Sequence, residues 1–246
     1  MTNITKVRAI SLLTIMFMLI GCSNNTPSTL TLRFHPYVGD TPLALNTGSY
    51  QNPGGEGKFS VRDFQVFISN VVLHFQTEKE RENESYHLAR FDGNEPHYQF
   101  TVPITNKESV SSVSFGIGVD PKANGTITIA GDLDPNSRMA WNWEVGYKFL
   151  LVEGTLTTTK KQLPLVYHIG FDKSYTRVKF TLDSKFQENK EIVNFKVDLL
   201  ALFDNLEDNA QQSKPIDMAS LSHVKFAPDD VAKIADNFSR FITLMP

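Results

Sequence analysis

Apolar and polar residues alternate along most of this chain with the two-residue period of a β-strand. Leu30, Leu32 and Phe34 set against Thr31, Arg33 and His35 give the first clear case. Residues 59–75 form a longer run rich in Val, Ile and Phe, with a bend expected at Ser69-Asn70. Further strands are predicted over 86–91, 98–102, 110–119, 139–153, 163–168, 175–182 and 192–200. Turn clusters such as Asn52-Pro53-Gly54-Gly55, Asp92-Gly93-Asn94 and Asp134-Pro135-Asn136 separate them. Strands at this spacing with no helices between them predict an all-β fold, an antiparallel sandwich or barrel-like domain over residues 30–246. One helical pattern stands apart. Pro228 suits a first helical position, Asp229 and Asp230 suit the positive end of the dipole, and Val231, Ile234, Ala235, Phe238 and Phe241 recur at helical spacing. A C-terminal helix that closes one end of the domain is expected there.

The first residues follow neither pattern. Lys6 and Arg8 precede a run from Ala9 to Ile20 that is apolar except for Ser11 and Thr14. That run is short for a membrane span, which needs roughly 20 apolar residues, and has the length of a signal-peptide core. It ends in Leu19-Ile20-Gly21-Cys22, which resembles a lipobox. The expectation is a signal over residues 1–21, lipid on Cys22 and a polar tether over 22–29. That places the domain in the cell envelope, on a periplasmic membrane face or at the outer membrane. Cys22 is also the chain's one cysteine, so a folded domain beyond it can hold neither a disulfide nor a thiolate metal site. Loss of Lys6 and Arg8 with the signal leaves 22 basic against 27 acidic residues. With no basic stripe in the sequence, nucleic acid is not an expected partner.

Chemistry-bearing patterns are sparse. There is no Gly-rich phosphate loop, no Gly-x-Ser-x-Gly elbow and no His-Glu-x-x-His pair, so the chain reads as a binding protein rather than an enzyme. The densest segment is 133–149, which holds both tryptophans, Trp141 and Trp143, with Met139 two residues earlier. On a strand these three side chains share one face, either a core face or, near a sheet end, part of a site. His168 precedes Ile169-Gly170 at a predicted strand end, and His35 stands where a strand meets Pro36. His74, His87 and His97 fall in or near predicted hairpins and His223 before the helix, and none of them is chosen as a ligand. Asp120, Asp132, Asp134 and Asn136 read as turn residues rather than a calcium loop, since the glycine and distal Glu of such a loop are missing.

Taken in order, several segments resemble the MbnP family of periplasmic copper-binding proteins, found beside di-haem peroxidases of the MauG type. They are Phe34-His35-Pro36-Tyr37-Val38-Gly39-Asp40, Asp63-Phe64-Gln65-Val66-Phe67, Gly116-Ile117-Gly118-Val119-Asp120, the Met139-x-Trp141-x-Trp143 core and Tyr167-His168-Ile169-Gly170. The resemblance implies a copper site, for Cu(I) in particular, in which a tryptophan oxidised to kynurenine joins histidines. On it, Trp141 is the expected modified residue with Trp143 as alternative, His168 and His35 are the expected histidine ligands, and Met139 is a soft ligand or neighbour. It also implies a MauG-like di-haem cytochrome c peroxidase as the oxidising partner. The competing reading is a surface sandwich that holds glycan or peptide on its aromatic face.

Overall fold

The computed structural model describes residues 28–126, 130–142, 146–182, 191–204 and 214–245. Cys22, the signal segment and Trp143 lie outside the described residues. The first strands are β1 (Ser28–Val38), β2 (Thr41–Pro42), β3 (Tyr50–Gln51), β4 (Lys58–His74) and β5 (Lys79–Arg81). Next come β6 (Tyr86–Arg90), β7 (Tyr98–Ile104), β8 (Ser112–Ile117), a one-turn helix α1 (Pro121–Asn124), β9 (Ala140–Asn142) and β10 (Gly146–Thr157). The remainder is β11 (Gln162–Gly170), β12 (Thr176–Thr181), β13 (Ile192–Asp198), β14 (His223–Val224), α2 (Pro228–Ala235), α3 (Phe238–Phe241) and β15 (Ile242–Leu244). β1 starts at Ser28, two residues inside the expected tether.

Two sheets share one core. β1 runs inside a five-stranded sheet in the order β15-β13-β1-β2, with β7 also on β1. The ten-stranded sheet follows the path β12-β8-β4-β10-β11-β14. The all-β sandwich with a C-terminal helix is therefore what the chain adopts. Two of its pairings, β1 with β13 and β11 with β14, are parallel rather than antiparallel. Both join segments distant in sequence, and parallel pairing needs such a long crossover.

The two-residue period sorts β1 cleanly. Leu32 and Phe34 are fully buried, while Arg33, His35 and Tyr37 lie half-buried on the other face. Phe34 stacks on Phe195 of β13 with ring centroids 5.1 Å apart, and Phe115 of β8 meets both rings edge-on. Each such ring contributes roughly 1.5–3 kcal/mol by leaving water. β4 is the spine of the larger sheet and pairs on both edges. The expected bend is present as a register shift between Ser69 and Val72, with Asn70 at φ 52°. The Asn70 side chain donates to Asp120 Oδ2 (2.9 Å) and Tyr175 Oη (3.0 Å), which compensates the left-handed backbone.

Two local expectations need correcting. The single strand predicted over 139–153 is broken into β9 and β10, which pair as a hairpin. Gly146 opens β10 at φ 81°, and a Cβ there would run into the Asn124 side chain, so the backbone turns where the apolar run suggested it continues. The C-terminal helix is likewise split into α2 and α3. Its five predicted core residues are all buried. At the break, buried Asn237 donates its side-chain amide to the carbonyls of Leu202 (3.1 Å) and Asp204 (2.8 Å), fixing the helix to the 3-10 turn Leu199–Phe203.

Candidate metal centre

His168 lies near the end of β11 and is 8% exposed. Its Nε2 is 2.9 Å from Glu153 Oε1, on the neighbouring strand β10. Glu153 also accepts from Arg62 (2.6 Å) and Arg138 (3.3 Å), and Arg138 forms a short ion pair with Asp63. Burial alone would raise the Glu153 carboxyl. The hydrogen bonds from Arg62 and His168 and the charge of Arg138 outweigh it and hold the group below its usual range. Burial lowers His168, Lys148 and Lys225 add to that, and Glu153 opposes it. His168 is thus tied into a charged cluster, with no other histidine as a partner.

Trp141 lies against the end of the same strand. Gly170 stands two positions after His168 and would direct a side chain to the same face of the strand. A Cβ on Gly170 would come 2.7 Å from Trp141 Cζ3 and 2.7 Å from the Tyr147 carbonyl oxygen. The glycine is what lets the indole lie against β11. The indole ring also packs on Phe171 (5.6 Å between centroids) and Phe226 (5.1 Å), and Phe226 is 58% exposed. Met139 has none of its surface exposed; its side chain fills core space, and its carbonyl accepts from the Lys148 amide (2.6 Å).

His35 belongs to the other sheet. Its Nε2 is 3.0 Å from Asn194 Oδ1 on β13. Its ring centroid lies 5.3 Å from that of His97, at an interplanar angle of 45°. Phe34 is paired with Tyr98 at the start of β7, so the antiparallel register brings His97 up to His35. Burial lowers the His97 ring below its usual proton affinity, and Arg33 and His35 push it further. His97 is not among the ligands expected from the sequence, and no local signal marks it. Only the register of β7 against β1 reveals the pair.

The structure therefore distributes the expected ligands over two places. It puts Trp141 near His168 and brings His35 to His97, and it does not bring His35 to His168. Among the described residues no group of three or more His, Cys, Asp or Glu side chains is arranged to hold a metal ion. The imidazole pair nonetheless fits copper by its donors. With the Asn194 oxygen as acceptor, His35 carries its proton on Nε2 and leaves the Nδ1 lone pair free. An imidazole nitrogen binds a metal at about 2 Å, which places the ring centroids of two shared ligands roughly 5–6 Å apart. The aspartates do what their turn positions suggest. Asp120 caps α1, accepting from the amides of Lys122 and Ala123, and Asp132 accepts from the Leu88 amide.

Fold and site together define a two-sheet β domain whose most ligand-like feature is a pair of neighbouring imidazoles. The MbnP family profile matches residues 27–221, and the chain belongs to that family. Among solved structures, MbnP from Methylosinus trichosporium is similar over 88% of this chain and 97% of that one, with a TM-score of 0.55 and 16% identity. At that identity the likeness speaks for the fold. No curated protein matches.

Proposed function

We propose that this chain is an envelope lipoprotein that binds copper as Cu(I), with His35 and His97 as the imidazole pair. The juxtaposition of these two rings carries the reading, because imidazole suits copper and the chain has no thiolate to offer beyond Cys22. Membership of the MbnP family supports it. A kynurenine is the further ligand that the family resemblance implies; Trp141, its expected source with Trp143 as alternative, lies against Gly170 on the His168 strand and not against the His35–His97 pair. Intact indole is a poor ligand because its nitrogen lone pair belongs to the ring system, whereas the opened ring offers an aniline nitrogen and a ketone. The oxidising equivalents come from a MauG-like di-haem cytochrome c peroxidase, and the chain itself performs no reaction. Lipid on Cys22 holds the domain on a periplasmic membrane face or at the outer membrane.

A specific observation favours His168 as a competing ligand: it shares a strand face with Gly170, over which Trp141 lies. The exposed Phe226 beside Trp141 favours a different second reading, in which the aromatic surface stacks on a glycan. Intact-mass and metal analysis of protein purified from its own envelope tests the proposal. The expected result is bound copper, acyl mass on Cys22 and a tryptophan peptide with the mass of kynurenine. Both tryptophans intact together with no copper would overturn it.

A further inference from the structure

The outer face of β5, β4, β8 and β12 carries a cationic trough. Register places Arg81, Val72, Ser114 and Lys179 in one row across these strands, and Lys79, His74, Ser112 and Thr181 in the next. Ser112 and Ser114 make a low, buried floor, since they are small and the alternate residues Val113 and Phe115 face the core. Lys79 and Arg81 rise on one side, Arg177 and Lys179 on the other, around an open volume of about 370 Å³. Three strand spacings, about 14 Å, separate the walls. All four cations are exposed, and none forms an ion pair among the described residues. His74 sits between the walls with Nε2 2.8 Å from Ser114 Oγ. Its proton affinity is lowered by burial and by Lys179, Lys79, Arg177 and Arg81, with no carboxylate opposing them. A chain with net negative charge has concentrated unpaired positive charge in one concavity.

The N-terminal end of the described chain lies next to this trough. Ser28 pairs with Ile104 at the end of β7. Thr105, which follows, donates its amide (3.1 Å) and hydroxyl (2.6 Å) to Glu80, the residue between Lys79 and Arg81. Six residues lead from Cys22 to Ser28, a reach of about 20 Å at full extension. We propose that the trough docks on the phosphate headgroups of an anionic membrane surface, orienting the domain on the bilayer that holds its lipid. This rests on the lipoprotein reading of Cys22. Each cation near such a surface strengthens attachment roughly fivefold, so four of them set an orientation that a tether alone leaves free.

The test uses the mature lipidated protein in nanodiscs, with amine acetylation of individual lysines read by mass spectrometry. In phosphatidylglycerol discs, Lys79 and Lys179 are expected to label at least ~5-fold more slowly than in phosphatidylcholine discs, while Lys160 and Lys161 on the β10–β11 turn keep their rates. The double variant Arg81→Glu, Arg177→Glu, both at exposed positions, is expected to lose that protection. Equal labelling in the two lipids overturns the docking. So does equal protection by inorganic phosphate added to phosphatidylcholine discs, which would make the trough a site for free anion. Protein that leaves phosphatidylcholine discs but stays, protected, on phosphatidylglycerol discs removes the anchor and keeps the docking; protein that stays on neither removes both.

Discussion

His35 and His168 each direct Nε2 at a side-chain oxygen, yet their surroundings make them different groups. His168 faces a carboxylate that two arginines also claim. His35 faces a neutral amide and a second imidazole. The carboxylate cluster holds its histidine by a hydrogen bond to Glu153 and leaves one imidazole among cations, which disfavours a further positive ion. The amide orients its histidine without adding charge, and a partner ring stands close by, on which Arg33 and Glu95 act in opposite senses. A histidine's partners, more than its place in the sequence, set whether it is a ligand.

The sharpest way to break this contrast is a Cu(I) competition titration. His97→Ala is expected to weaken binding by more than about 100-fold, since loss of a ligand exceeds the 10–100-fold typical of an outer partner. His168→Ala should change it little, and the opposite ranking would move the site to the ten-stranded sheet. Gly170→Ala tests the packing beside His168. Its Cβ meets Trp141 and a backbone carbonyl at 2.7 Å, so a loss of about 1–3 kcal/mol is expected in denaturant melts, with a shifted tryptophan emission.

Glu153→Gln should cost about 1–2 kcal/mol, because two arginines and His168 lose a charged acceptor. The same cluster predicts acid lability. His168 and Glu153 both have lowered proton affinities when folded, so the unfolded chain binds protons first as pH falls. Stability is expected to decline below the ordinary histidine value of 6.5, and again below the ordinary glutamate value of 4.5 as pH approaches the folded Glu153 value. Thermal melts across that range should show a smaller second, lower step in Glu153→Gln, with Glu80 and Glu108 still contributing. Arg62→Ala gives the smallest effect, under about 1 kcal/mol, because that side chain is 66% exposed and its ion pair is screened.

Local patterns were legible where neighbours in sequence decide the outcome. The alternation in β1, the bend at Asn70 and the buried face of the last helices follow from spacing alone. What could not be read is what distant segments decide. The break before Gly146 depends on Asn124, which sits where a Cβ would go. Asn237 splits the helix because carbonyls on another turn are there to accept. His97 lies beside His35 only through the register of β7 on β1, and a two-residue period gives the facing of a strand but not its partner. Met139 and Trp141 read from spacing as one strand face, core or site, whereas Met139 is fully buried and Trp141 packs on the exposed Phe226, a difference the two-residue period does not give.

The parallel pairing of β1 with β13 has a consequence for assembly order. His35 and its acceptor Asn194 are 159 residues apart in the chain. A contact of that span carries the loop-closure entropy of most of the chain. A chain shortened before β13 would still own His35 and His97 but would lack the amide that orients the first ring. The orientation of His35 is in that sense a checkpoint, complete only when nearly the whole polypeptide has folded around its first strand.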